Sequence, residues 1–284
     1  MFQSDLLKGK VFVITGGGTG LGRSMGERFL QLDAKLAITS RREPVLREAA
    51  DQMMAAYGSE AFTWPCDVRD PEAVDAMFGA IWEHYGAIDV LVNNAAGNFT
   101  SPTERLSHRA VDAVLSIVLH GTFYCTLALG KRWIAAGRGG RMLNIVTTYA
   151  ETGSAFVVPS AAAKAGVLAM TRSLAVEWAK YGITMNAIAP GPFPTPGAWE
   201  RLMPDPRLAE AAIQRVPLKR VGRHEELANL AAFLVSDYAG YINGECVVID
   251  GGEWLKGAGQ FSGLDVLTPA QWDALTELSK RAGR

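Results

Sequence analysis

Short runs of aliphatic and β-branched residues alternate along the chain with longer segments in which apolar positions return every three to four residues. Runs that are apolar at successive positions fit strands covered on both faces, and the helical segments between them fit the crossovers that parallel strands require. The pattern predicts strands at 10–15, 36–40, 61–65, 90–93, 142–146, 184–189 and 245–249, and helices at about 21–32, 43–57, 71–85, 108–136, 160–181 and 225–236. This is an α/β pattern: a single doubly wound domain over 1–284, built on a seven-stranded parallel sheet with helices on both faces.

Two stretches depart from the alternation. Between Pro190 and Val221 the period is lost among Pro192, Pro194, Pro196, Pro204 and Pro206, so an irregular substrate lid is expected at about 191–220. A C-terminal extension at about 257–284 ends in a predicted helix, with Thr268 as N-cap, Pro269 in the first turn and Gln271 completing a capping box. A neighbouring subunit is its expected docking partner.

Composition narrows the function classes. With 49% apolar and 20% charged residues in 284, the chain buries a full core, and a net charge of -1 leaves no footprint for nucleic acid or an acidic membrane. A neutral small molecule, or an anion held locally, fits better. Cys66, Cys125 and Cys246 form no C-x-x-C pair, which argues against a disulfide framework and a zinc site, so no metal is expected and the compartment is read as reducing. No secretory or transit signal, long apolar run or C-terminal peroxisomal address is seen, and the expected location is cytoplasmic.

Candidate chemistry begins at Val11–Gly22, where an apolar strand runs into a glycine turn and then a helix. Such a turn brings backbone N–H groups and a helix N-terminus up to a pyrophosphate, as in Rossmann-type folds, with Gly16, Gly17, Gly18, Thr19, Gly20 and Leu21 as the cradle. Glycine is expected where a Cβ would strike the ligand. The spacing is not G-x-G-x-x-G, because Met25 stands at the third position. At the end of the second strand, where a carboxylate would hold a ribose 2′-hydroxyl, the chain has Ser40-Arg41-Arg42. A guanidinium there suits a 2′-phosphate, which points to NADPH through Arg41. Asp67 and Val68 after the third strand, and Asn94, Ala95 and Gly97 after the fourth, lie at carboxyl strand ends where ligands bind, with Asp67 placed to accept from an adenine amino group. Solvated arginines and Asx turns are the plain structural alternatives for these segments.

Together T-G-x-x-x-G-x-G at 15–22, N-N-A-A-G at 93–97, a lysine-bearing helix and Pro190-Gly191 resemble the short-chain dehydrogenase/reductase family over nearly the whole chain. That family works with a helix asparagine, a serine after the fifth strand and a Y-x-x-x-K pair. Here those positions carry Val118, Thr147 and Ser160, and of the set only Lys164 remains. Through A-A-G-N-F at 95–99, Y-A-E-T-G-S at 149–154 and F-V-V-P-S-A-A-A-K at 156–164, the chain is similar to NADPH-dependent 2,4-dienoyl-CoA reductases of the mitochondrial type.

The resemblance implies reduction of a 2,4-dienoyl-CoA to a 3-enoyl-CoA in fatty-acid β-oxidation. Tyr149, displaced from the helix to a loop, and Asn98 would donate hydrogen bonds to the thioester oxygen of an extended dienolate, each worth roughly 10² to 10³ in turnover. Lys164 would grip the nicotinamide ribose and favour negative charge nearby, with Ser160, one turn earlier, orienting the ammonium. Thr147, Lys164, Pro190, Gly191, Pro192 and Phe193 complete the implied NADPH site. At the acyl-CoA end Arg69 and Arg201 are candidate phosphate partners, with Phe99 and Ser107 beside the thioester. His120 is expected near a subunit contact without a catalytic role, and a homotetramer is implied. Two alternatives stay open: a reductase of 3-oxoacyl thioesters or other carbonyls using Tyr149 as acid, and an NADPH-binding sensor without catalysis. Ser160-x-x-x-Lys164 is not read as a serine hydrolase, since no glycine-flanked elbow or general base accompanies it.

Overall fold

The computed structural model describes residues 2–195, 199 and 205–282. Seven strands, β1 Val11–Thr15, β2 Lys35–Ser40, β3 Ala61–Pro65, β4 Val90–Asn93, β5 Gly140–Ile145, β6 Ile183–Pro190 and β7 Cys246–Ile249, pair in the all-parallel order β3-β2-β1-β4-β5-β6-β7. Every residue of β1 is buried, as the unbroken apolar run requires. Alternation then divides the run between two layers. Phe12 and Ile14 enter a core with Phe29, Leu36, Leu46 and Met53, whereas Val11 and Val13 face Met77, Phe78, Leu129 and Trp133 on the other side.

The covering helices are α1 Gly20–Gln31, α2 Glu43–Tyr57, α3 Pro71–Tyr85, α4 His108–Ala135, α5 Tyr149–Thr152, α6 Val158–Glu177, α7 Pro206–Arg215, α8 His224–Val235, α9 Glu253–Ala258 and α10 Pro269–Ala282. By length and composition α4 could span a membrane, but Val118, Cys125, Leu129 and Trp133 put its apolar face inside the core. A π turn at Ser116–His120 interrupts it, and His120 is exposed there. All three cysteines are free thiols.

The predicted sheet and its long helices are found, and the differences have local causes. The helix expected to 181 stops at Glu177 and tightens into a 3-10 turn, Ala179–Tyr181, closed by Gly182 at φ 72°. Tyr149 is not in a loop: it opens the single-turn helix α5. The expected irregular stretch contains α7, with Asp205 as N-cap, its carboxylate accepting from the Arg207 N–H at 2.9 Å, and Pro206 in the first turn. Of that stretch, residues 196–198 and 200–204 lie outside the described residues. The Thr268 capping box does form: Gln271 Oε1 accepts from the Thr268 N–H at 2.8 Å. Beyond it α10 is exposed along the positions where burial is described.

Strand order reverses about β1, so the loops after β1 and β4 part and leave a crevice at the carboxyl edge. Just beneath it a buried polar chain ties four elements together. Asn93 Nδ2 donates to Thr126 Oγ1 at 3.1 Å and to Asn144 Oδ1 at 2.9 Å, and Asn144 Nδ2 donates to Thr171 Oγ1 at 2.8 Å. Replacing Asn144 with Leu removes the central link and strands polar atoms on both sides. The expected cost is about 2–3 kcal/mol by chemical denaturation, with a smaller loss speaking against the network.

Candidate active site

The glycine turn after β1 is shaped first by the protein itself. Gly16 and Gly20 have φ of 68° and 55°, and a Cβ on Gly22 would stand 2.5 Å from both Asn94 Nδ2 and the Gly16 carbonyl oxygen. At these positions backbone conformation and the turn's own neighbours demand glycine whether or not a ligand does. The Asn94 side chain faces inward, donating to the carbonyls of Thr15 at 3.0 Å and Gly16 at 3.3 Å. Thr15 Oγ1, not singled out from the sequence, accepts from the N–H groups of Asn94 and Ala95, both at 3.0 Å. These bonds join the loops after β1 and β4 into one rim. Gly17, Gly18, Thr19 and Leu21 complete the turn, and Gly97 lies on the second loop.

At the opposite end of the rim Arg41 is exposed and, among the described residues, has no ion-pair partner. Asp67 is held by Arg69, whose Nε lies 2.9 Å from Oδ1 and whose Nη2 lies 2.5 Å from Oδ2. That hydrogen bonding, together with the nearby charge of Arg41, keeps the Asp67 carboxyl below the usual range. The structure thus pairs with each other two residues expected to meet different parts of the ligands. Val68 is buried beneath them against Gly121, whose missing side chain lets α4 approach.

Three chain segments meet at the Tyr149 hydroxyl. Asn98 Nδ2 lies 3.4 Å from it and Ser160 Oγ 3.1 Å. The Phe99 N–H donates to Asn98 Oδ1 at 2.9 Å, and because a backbone N–H only donates, this sets the amide with its NH2 toward the phenol. Ser160 was expected to orient the Lys164 ammonium, but it bonds the phenol. Lys164 instead donates to the Ile145 carbonyl at the end of β5, a partner with no side-chain signature in the sequence. Only 6% of Lys164 is exposed, and burial pushes its ammonium from an ordinary 10.5 down to about 8.

The remaining candidates are placed as follows. Thr147 Oγ1 is buried and has no protein partner among the described residues, as suits a hydroxyl facing a ligand. Phe99 packs beside Val114, Val118 and Ala163. Ser107 caps α4, accepting from the Ala110 N–H at 3.2 Å, while Arg201 lies outside the described residues. Pro190 ends β6, the Gly191 N–H donates to the Ile249 carbonyl at 3.0 Å, and Phe193 packs against Gly222. Pro192 lies between them, and its carbonyl accepts from the Gly222 N–H at 3.0 Å. Thr195, absent from the sequence-level set, reaches the glycine turn: its Cγ2 is 3.1 Å from where a Gly20 Cβ would be. A glycine turn leading into a helix N-terminus and an unpartnered buried hydroxyl at the carboxyl edge of the sheet fit a dinucleotide.

A family model described as enoyl-(acyl carrier protein) reductase matches residues 16–253. The crystal structure of a short chain dehydrogenase from Bacillus anthracis superposes with a TM-score of 0.78 at 44% identity, over 89% of this chain and 98% of that one. The chain belongs to the short-chain dehydrogenase/reductase family. It is an oxidoreductase, and its cofactor class is NAD(P). A relative in Caenorhabditis elegans, named probable 2,4-dienoyl-CoA reductase 3, (3E)-enoyl-CoA-producing, is 45% identical over 256 residues, covering 89% of this chain and 83% of the relative. One in Bacillus subtilis, named probable 2,4-dienoyl-CoA reductase, (2E)-enoyl-CoA-producing, is 44% identical over 248 residues, covering 87% and 97%.

Within this short-chain reductase, the folded and unfolded proton affinities of Lys164 differ in a definite sense. Below about 8 both states hold the proton and burying the cation costs stability; from about 8 to 10.5 the unfolded chain binds a proton that the folded one has lost, so this group's contribution to stability rises with pH. Turnover that uses the cation therefore falls as pH rises through about 8, without a matching fall in stability from this group. Paired kcat/KM and melting profiles from pH 6 to 10 check this, and a flat rate profile excludes the role.

Proposed function

We propose that the enzyme reduces 2,4-dienoyl-CoA thioesters to 3-enoyl-CoA with NADPH, as a step of fatty-acid β-oxidation. One observation carries this reading: the phenol of Tyr149 sits between Asn98 and Ser160, with a serine where a carbonyl reductase of the family has its tyrosine. The relatives named for dienoyl-CoA reduction support the same reaction class.

The residues divide the work. NADPH, when bound, supplies the hydride that adds to the δ carbon of the conjugated thioester. Charge then collects on the thioester oxygen, where Tyr149 and Asn98 donate. A phenol has a single proton. For Tyr149 to direct it at substrate, Ser160 must donate to the phenol oxygen, an arrangement that the 3.1 Å contact permits. Asn98 has a second N–H free of the phenol and aims it at the same oxygen. Lys164 places a buried positive charge near the nicotinamide ribose, where the low surrounding dielectric strengthens its pull. Water protonates the α carbon, leaving the double bond between β and γ carbons.

Arg41, without a carboxylate to release, takes the 2′-phosphate, while Thr147 supplies its unpartnered hydroxyl to the cofactor side. Arg69 and Phe99 are assigned to the CoA and acyl portions. Exposed Phe123 and Leu127 on α4 and Val176 on α6 are the faces assigned to a homotetramer. Three free thiols suit a reducing cytoplasm.

The deciding assay offers a 2,4-dienoyl-CoA and a 3-oxoacyl thioester separately and follows NADPH absorbance. Oxidation with the dienoyl substrate alone, and a 3-enoyl product by NMR, are expected; oxidation with only the oxo substrate rejects the reading. Tyr149→Phe should fold normally and lower kcat by about 10²–10³-fold. Arg41→Glu should raise the KM for NADPH by about tenfold or more while leaving that for NADH nearly unchanged. Equal effects on both cofactors would remove Arg41 from the phosphate site.

A further inference from the structure

We infer that His224 is a positioning residue for the cofactor crevice, fastening the Pro192–Thr195 segment to α1 so that Thr195 stands over the glycine turn. The inference rests on the cofactor site assigned above and adds to it a residue far from the proposed chemistry. His224 opens α8, and both ring nitrogens are engaged. Nε2 lies 2.8 Å from the Pro194 carbonyl oxygen and Nδ1 lies 2.9 Å from Ser24 Oγ. A carbonyl only accepts, so Nε2 carries a proton, and in the neutral ring Nδ1 is then left to accept from the Ser24 hydroxyl. One imidazole thus spans the start of α1 and the segment that follows β6.

Both ends of the span meet at Gly20. The Ser24 hydroxyl has one proton, and with it given to Nδ1 the Gly20 carbonyl oxygen, 3.1 Å from Ser24 Oγ and one helical turn before it, is a close neighbour and not a second acceptor. From the other side the Thr195 side chain comes within 3.1 Å of where a Gly20 Cβ would be. Residue 20 has positive φ and begins α1, so its N–H belongs to the group turned toward a pyrophosphate. A displaced Pro194 carbonyl would carry Thr195, the next residue, away from this turn.

The anchor is rigid enough for the purpose. Glu226 accepts from the Arg223 N–H at 2.9 Å and pairs with Arg220 at 2.8 Å, fixing the first turn of α8. Arg28 Nε donates to Asn229 Oδ1 at 2.8 Å, a second tie between α1 and α8. The Gly222 N–H donates to the Pro192 carbonyl at 3.0 Å and holds the segment at its other end. His224 is the side chain that joins all three.

The test measures NADPH dissociation constants and off-rates by tryptophan fluorescence, with melting curves, for wild type, His224→Leu, His224→Gln and Ser24→Ala. His224→Leu should weaken NADPH about tenfold, chiefly by faster release, the weight of one or two hydrogen bonds. Gln, which keeps an N–H to offer Pro194, should recover most of that loss. Ser24→Ala should weaken binding about threefold, and in the double variant it should add nothing to His224→Leu. A folded His224→Leu with unchanged affinity and off-rate overturns the proposal, as does Gln no better than Leu. Should His224→Leu not fold, the proposal is lost if Ser24→Ala binds as wild type does and stands if it weakens binding as expected. Wild type binding neither NADPH nor NADH would sink the cofactor site itself, a result separable from any ranking of the variants.

Discussion

A phenol with one proton needs its neighbours arranged if that proton is to point at a substrate. At Tyr149 the arranging falls to groups far apart in sequence: Asn98 beyond β4 and Ser160 on α6. Asn98 is itself turned by the Phe99 N–H, so the site depends on β4, β5 and α6 being held in one register. The buried Asn93, Asn144 and Thr171 chain joins those same elements just below the crevice. A buried polar link is costly when any member is missing, and that cost makes it specific. An apolar contact would tolerate a slide that these bonds do not. Precision at the phenol is therefore drawn from the layer beneath it.

The frame was open to the sequence because parallel strands buried on both faces leave long apolar runs that alternate with helical period. Gly16, Gly20 and Gly22 were likewise visible, although for a different reason from the one the turn itself supplies. Their first constraint is φ and the approach of Asn94. Helix α7 was hidden by the prolines around it, yet Asp205-Pro206 is an N-cap followed by a first-turn proline, a start signal that could have been read. The single turn α5 has no comparable signal, since Thr148 makes no side-chain cap.

What escaped the sequence reading was the pairing of side chains. Lys164 and Ser160 share a helix face by spacing, which made a direct interaction natural to expect. The fold instead offers Lys164 a strand-end carbonyl and Ser160 a phenol eleven residues upstream. Asp67 and Arg69, two residues apart, close on each other in a fork that spacing along a strand or helix does not suggest. His224 carried no motif, and its two partners lie 200 and 30 residues away. Contacts of this kind depend on the crossing of α1 with α8, which no local period encodes.

Lys164 and Arg41 show two ways of holding a cation ready. Arg41 stays in solvent, where its charge is stabilised by water and screened by salt. Lys164 is removed from water, and burial alone brings its ammonium down to about 8, while the Ile145 carbonyl accepts a hydrogen bond from it. Its position is fixed by β5 and α6. The phenol comes from α5 and reaches Ser160, one helical turn before the lysine. Moving the ring to residue 149 leaves a serine at 160, and the phenol returns to that serine at 3.1 Å. The displacement of one aromatic ring thus changes which side chains meet the phenol, while the strand and helix that hold Lys164 keep their places.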